Sequence, residues 1–156
     1  MLPSTASLTR ACLSAFLLAL FPSLLWMSAA LWLASRLGMG AAMPLSKLDL
    51  LANVERILLA PVLETMLLAA VVALCRLRIQ SAIGVAFLAA ILFGALHGVL
   101  APLRFAGAAW SFFVFALMYQ QWRPRSLKAG LLAAAVPHAM VNLTVTLLLL
   151  ASRGYF

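Results

Sequence analysis

Acidic side chains are almost missing from this chain. Asp49, Glu55 and Glu64 are the only three in 156 residues. Charged residues of both signs make up 9% of the sequence, against about 25% in a soluble domain. That scarcity excludes a water-facing globular surface. Hydrophobic residues make up 67%, and the mean hydropathy is +1.15. Both fit an integral membrane protein, and residues 1–156 are short enough for a single domain with one bundle. Cysteine is limited to Cys12 and Cys75, without metal-ligand spacing, so no disulfide or redox motif is expected. Internal repeats and low-complexity tails are absent as well. The net charge of +8 comes mostly from Arg and Lys between apolar runs. It reads as a topology signal and as contact with lipid headgroups of the bilayer, not as nucleic-acid binding.

What is present is a series of apolar runs. Crossing ~30 Å of hydrocarbon takes a helix of ~20 residues. Runs between charges predict five spans, at about 11–34, 57–75, 79–103, 105–122 and 127–151. No alternating barrel pattern appears, and open sheet edges cannot be satisfied in lipid. The expected fold class is therefore all-α, a polytopic transmembrane helix bundle. The first run exceeds the ~7–15 residues of a signal-peptide core and is read as a retained helix. Residues Ser46 to Arg56 interleave apolar and polar side chains and predict an amphipathic interfacial lead-in to the second span. Pro61 should start or kink that span, Pro102 should end the third, and Pro137 should loosen the last. Trp110, Tyr119 and Trp122 read as an interfacial aromatic belt and packing. With five spans, six Arg and Lys lie on the N-terminal side and five on the other. The count leans to a cytoplasmic N-terminus.

Four polar residues interrupt the apolar runs: Glu64, His97, His138 and Asn142. An ionisable group in a span costs roughly 2.5–3.5 kcal/mol on insertion scales, so it usually marks a functional site. Glu64 is eight residues from Arg56 and His97 seven from Arg104, which places each ~10–12 Å from the same face. Asn142 and His138 follow at ~16 Å and one turn deeper, so antiparallel helices could bring all four into one layer. His138, Asn142 and Thr146 share one helix face, as do Phe93 and His97. Ala82, Ala86, Ala90, Gly94 and Gly98 form a small-residue ridge that lets a neighbouring helix approach closely. Any one of the polar residues alone reads as helix-to-helix glue. Glue does not require an acid, and as a set they point to one polar centre.

Three ordered segments carry a family resemblance: Pro61-Val62-Leu63-Glu64-Thr65, Phe93-Gly94-Ala95-Leu96-His97 and His138-Ala139-Met140-Val141-Asn142. They resemble the CAAX protease and bacteriocin-processing family (CPBP, or Abi) of intramembrane glutamic endopeptidases. That family carries E-E-x-x-x-R, then F-x-x-x-H, then H-x-x-x-N. The resemblance covers residues 57–151, which would form the catalytic core. It implies that Glu64 and His97 activate water, that Asn142 with His138 stabilises an oxyanion, and that Phe93 and Thr65 support them. In this alignment Thr65 replaces the second glutamate and Ala69 the arginine. The other alignment puts Leu63 first and Leu68 at the arginine position. No cofactor is implied, although Glu64, His97 and His138 could in principle bind zinc. No H-E-x-x-H, no pair of membrane aspartates and no G-x-S-x-G occurs, so the other intramembrane protease chemistries lack their residues. The expected substrate is a peptide or the tail of a membrane protein, in the inner (cytoplasmic) membrane of a bacterium. The alternative is a non-catalytic, immunity-like or scaffold protein of the same fold. A proton-linked transporter is a third class, disfavoured by the lack of a repeat. Nothing in the sequence sets an oligomeric state.

Overall fold

Backbone polar groups that leave water must be satisfied within the protein, and a helix does this inside one segment. The computed structural model describes residues 7–38 and 50–151, and every regular element among them is helical. Helix α1 (Leu8–Arg36) opens on Ser7, whose side chain accepts from the Arg10 N–H. Helix α2 (Leu50–Val54) runs through a π-helical turn (Glu55–Leu59) directly into α3 (Ala60–Arg76). Helix α4 (Ala82–Leu100) starts on the Ser81 cap and stops at Ala101, which turns extended ahead of Pro102. A 3-10 turn (Pro102–Arg104) leads into α5 (Phe105–Trp122), and α6 (Leu127–Ala151) completes the described chain. Five of these stretches are long and apolar enough to cross a membrane. The protein is an all-α, polytopic integral membrane bundle, as the apolar runs predict.

The amphipathic lead-in lies partly outside the described residues, which omit 46–49. Its described part is helix continuous with the second span, because the π turn passes the chain on without a break. Of the aromatic belt and packing expected at Trp110, Tyr119 and Trp122, the packing is seen. Tyr119 and Trp122 are each 5% exposed and belong to the core. Trp110 donates its indole N–H to the Leu18 carbonyl of α1 at 2.8 Å. Pro137 sits inside α6 without ending it.

Helix α5 is the centre of the bundle, packed against α1, α3, α4 and α6. Its approach to α4 uses the small-residue ridge. A Cβ added at Gly94 would stand 2.7 Å from the Ala109 Cβ and 3.1 Å from the Phe105 carbonyl oxygen. On its other side, Ser23 of α1 donates to the Gly107 carbonyl at 2.9 Å and lies 3.0 Å from the Ser111 hydroxyl. Gln120 donates across to the Ala82 carbonyl at 3.1 Å, which sets the end of α5 beside the start of α4. These bonds set α5 antiparallel to α1 and α4, and α6 packs against α3 and the π turn that leads into it.

Candidate active site

Each polar residue reaches the bundle interior for a local reason. Pro61, fully buried in the first turn of α3, fixes the start of that helix one turn before Glu64 and Thr65. In the last turn of α4, His97 donates from Nδ1 to the Phe93 carbonyl at 2.8 Å. That bond places the proton on Nδ1 and leaves Nε2 to face α3. The His97 Nε2 is 3.8 Å from Glu64 Oε2, and the His138 Nε2 is 3.5 Å from the same oxygen. Two imidazoles from different helices thus converge on one carboxylate oxygen. Both gaps exceed the 2.7–3.2 Å of a direct hydrogen bond, so the three groups are neighbours with space between them.

Exposure divides the set. The His138 side chain is 5% exposed, whereas Glu64 and His97 are 30% and 31%. Glu64 and His97 line a half-open recess of about 180 Å³, completed by Leu67, Phe93 and Leu96. Leu67 and Leu96 are each half exposed on the bundle's outer surface, so the recess opens sideways, where acyl chains lie. His138 is not part of the lining and meets Glu64 from the buried side. Its Nδ1 and the hydroxyls of Thr65 and Thr146 are buried without a protein hydrogen-bond partner.

The rings are held by aromatic residues that the polar pattern did not single out. Phe112 of α5 stacks on Phe93 at 4.2 Å and lies 5.5 Å from the His97 ring and 5.2 Å from the His138 ring. Phe115 stacks on His138 at 4.9 Å. The only available signal was the phenylalanine-rich run at 112–115, which does not say which ring faces inward. Phe93 therefore acts through Phe112 and through its carbonyl.

Asn142 is placed differently. It lies one turn from His138 on the same face of α6, and its Nδ2 donates to the Arg56 carbonyl in the π turn at 3.0 Å. The structure brings Glu64, His97 and His138 together, with Thr65 adjacent in sequence. Asn142 is tied to the backbone that leads into α3. Among the described residues, no group of three or more His, Cys, Asp or Glu side chains is arranged to hold a metal ion. No family model matches the chain, and no match is found among curated proteins or solved structures.

Proposed function

We propose that this protein is an intramembrane peptidase of the kind the CPBP resemblance implies, cleaving a peptide or a membrane-protein tail with water activated by Glu64. The observation that carries the reading is the convergence of two imidazoles on Glu64 Oε2 beside a recess open to the side. A water held between Glu64 and His97 would give its proton to the carboxylate as its oxygen attacks the peptide carbonyl carbon. Glu64 would then return that proton to the leaving amine nitrogen as the C–N bond breaks. His138 would hold the carboxylate from the buried side. Leu67 and Leu96 suit an apolar segment of the substrate, and the setting is the inner membrane of a bacterium.

A non-catalytic, immunity-like or scaffold protein is the second reading. Thr65 and Ala69 favour it, because they stand where the family carries a second glutamate and an arginine.

The test uses purified protein in liposomes with a panel of peptides carrying hydrophobic tails, and products read by mass spectrometry. Wild type should cleave. Glu64→Gln keeps the side-chain volume but removes the proton acceptor, so cleavage should fall by at least ~10²-fold. Cleavage by Glu64→Gln at the wild-type rate would sink the peptidase reading. A chelator should leave wild-type turnover unchanged. Inactivation by chelation with recovery on zinc would keep the enzyme and replace the metal-free mechanism.

A further inference from the structure

Inside an α-helix the Arg56 carbonyl would accept from the N–H of residue 60. In the π turn, the Ala60 N–H goes instead to the Glu55 carbonyl, five residues back. Continuing that register, the donor for Arg56 would be residue 61. Residue 61 is proline, which has no N–H. The π turn and Pro61 together leave the Arg56 carbonyl without a backbone donor, in a segment read as entering a membrane. The site is part-buried, and a backbone group left unpaired away from water costs about as much as a lost hydrogen bond. The Asn142 side chain of α6 supplies that donor at 3.0 Å.

We infer that Asn142 is a positioning residue that replaces the donor Pro61 removes, and so fixes the start of the Glu64 helix against α6. The geometry is a two-point clamp. One turn apart on the same face of α6, Asn142 holds the Arg56 carbonyl and His138 meets the Glu64 carboxylate. Arg56 lies within the π turn and Glu64 one turn beyond Pro61. If the first point is released, the π turn can revert toward α-helical register, and a one-residue change in register rotates the Glu64 side chain about 100° around the helix. One of the two Nδ2 hydrogens is committed to this bond. Arg56 contributes only its carbonyl here, since its guanidinium turns back to the Asn53 side chain at 3.4 Å. The inference does not rest on the peptidase reading, because it concerns where Glu64 is held and not what it does.

The experiment is a double-mutant cycle on the full chain in detergent: wild type, Asn142→Ala, Pro61→Ala and the double variant. Two quantities are read. The first is the thermal unfolding midpoint. The second is the rate at which a hydrophobic carbodiimide modifies Glu64, resolved from Asp49 and Glu55 by peptide mapping. Asn142→Ala should lower the midpoint and speed Glu64 modification roughly fivefold or more, the ratio equivalent to the low end of ~1–3 kcal/mol for an orphaned buried acceptor. Pro61→Ala restores an N–H that can reach the Arg56 carbonyl. In that background, Asn142→Ala should lose most of both effects. If Asn142→Ala alone fails to fold, recovery of folded protein on adding Pro61→Ala carries the same meaning. Plain helix-to-helix glue would lower the midpoint equally in both backgrounds and leave Glu64 modification unchanged. Either equal costs in the two backgrounds or an unaltered modification rate overturns the inference, as does failure of both variants to fold. None of these readouts needs turnover, so a silent cleavage assay leaves the test intact.

Discussion

At the scale of single residues, the bilayer tolerates an ionisable side chain where neighbouring groups hold it, and Glu64 has two imidazoles beside one of its oxygens. With three acids and two histidines in the chain, any of them inside an apolar run stands out, because lipid makes an unneeded ionisable group costly. Glu64, His97 and His138 were legible for that reason, and they do meet. Phe112 was not legible. Phenylalanine in a span is equally at home against lipid or against a ring, so composition cannot tell the 2% exposed Phe112 from its partly buried neighbour Phe113. The distinction has consequences. Phe112 touches Phe93 and both imidazoles, so Phe112→Ala should destabilise the bundle by ~3–5 kcal/mol, the usual range for deleting a core phenylalanine. Phe112→Leu keeps most of the apolar volume and should fold with a smaller loss, yet lower any Glu64-dependent cleavage, because the rings lose their common wall. Phe113→Leu should change neither property much. Unfolding by denaturant in mild detergent, followed by the cleavage assay, separates the three. Equal stability of Phe112→Ala and wild type would mean that the ring is not a packing element.

At the scale of elements, the helices were legible in the apolar runs and their partners were not. Spans four and five match their expected bounds, and Pro102 follows the end of α4. The π turn was not legible, because its letters are those of an ordinary amphipathic helix. Only the missing N–H of Pro61 and the distant Asn142 reveal why an extra residue is accommodated there. The ridge on α4 was visible as a four-residue repeat of Ala and Gly, but nothing in that repeat names α5 as the helix it admits. The structure makes the contact specific. A methyl at Gly94 would overlap Ala109, a short side chain that cannot swing away, and would crowd the Phe105 carbonyl. At Gly98 the nearest atom is the Phe105 Cβ at 3.1 Å, with its ring further off at 3.4 Å. Gly94→Ala should therefore cost ~1–3 kcal/mol, the range for overpacking a tight core, and Gly98→Ala less. Midpoints measured side by side decide the order. Gly98→Ala proving the more damaging would mean that the closest approach of α4 and α5 lies nearer the 3-10 turn.

At the scale of the whole molecule, the least hydropathic of the five spans is the most buried. The α5 span has the lowest hydropathy of the five, 1.3, and the largest buried share, 44%. The α1 span is only 11% buried at a hydropathy of 1.9. In water the most apolar element goes inside. In a bilayer the outside is already apolar, so helices associate through close packing and hydrogen bonds, and the central helix can carry the Ser, Gly, Tyr and Gln residues that make them. The same inversion bears on orientation. The hydrogen bonds that order the bundle set Arg10, Arg76, Arg78, Arg123, Arg125 and Lys128 toward one face, by Gln120 to Ala82 and by the Cys12 thiol to the Leu132 carbonyl. Arg36, Arg56 and Arg104 lie toward the other, and the sequence count adds Lys47 and Arg153, which fall outside the described residues. By sequence, a count of six against five leans to a cytoplasmic N-terminal face. Glu64 and His97 would then sit nearer the outer face, with the recess opening sideways at that level. Family members that process cytosolic tails open toward the cytosol, so the charge count and the resemblance pull in opposite directions. Reporter fusions resolve the conflict at two positions. A fusion after Arg78 should report the cytoplasm, and one after Arg104 the exterior. The reverse pair would overturn the orientation, bring the recess to the cytosolic side, and make a cytosolic tail the natural peptide to offer it.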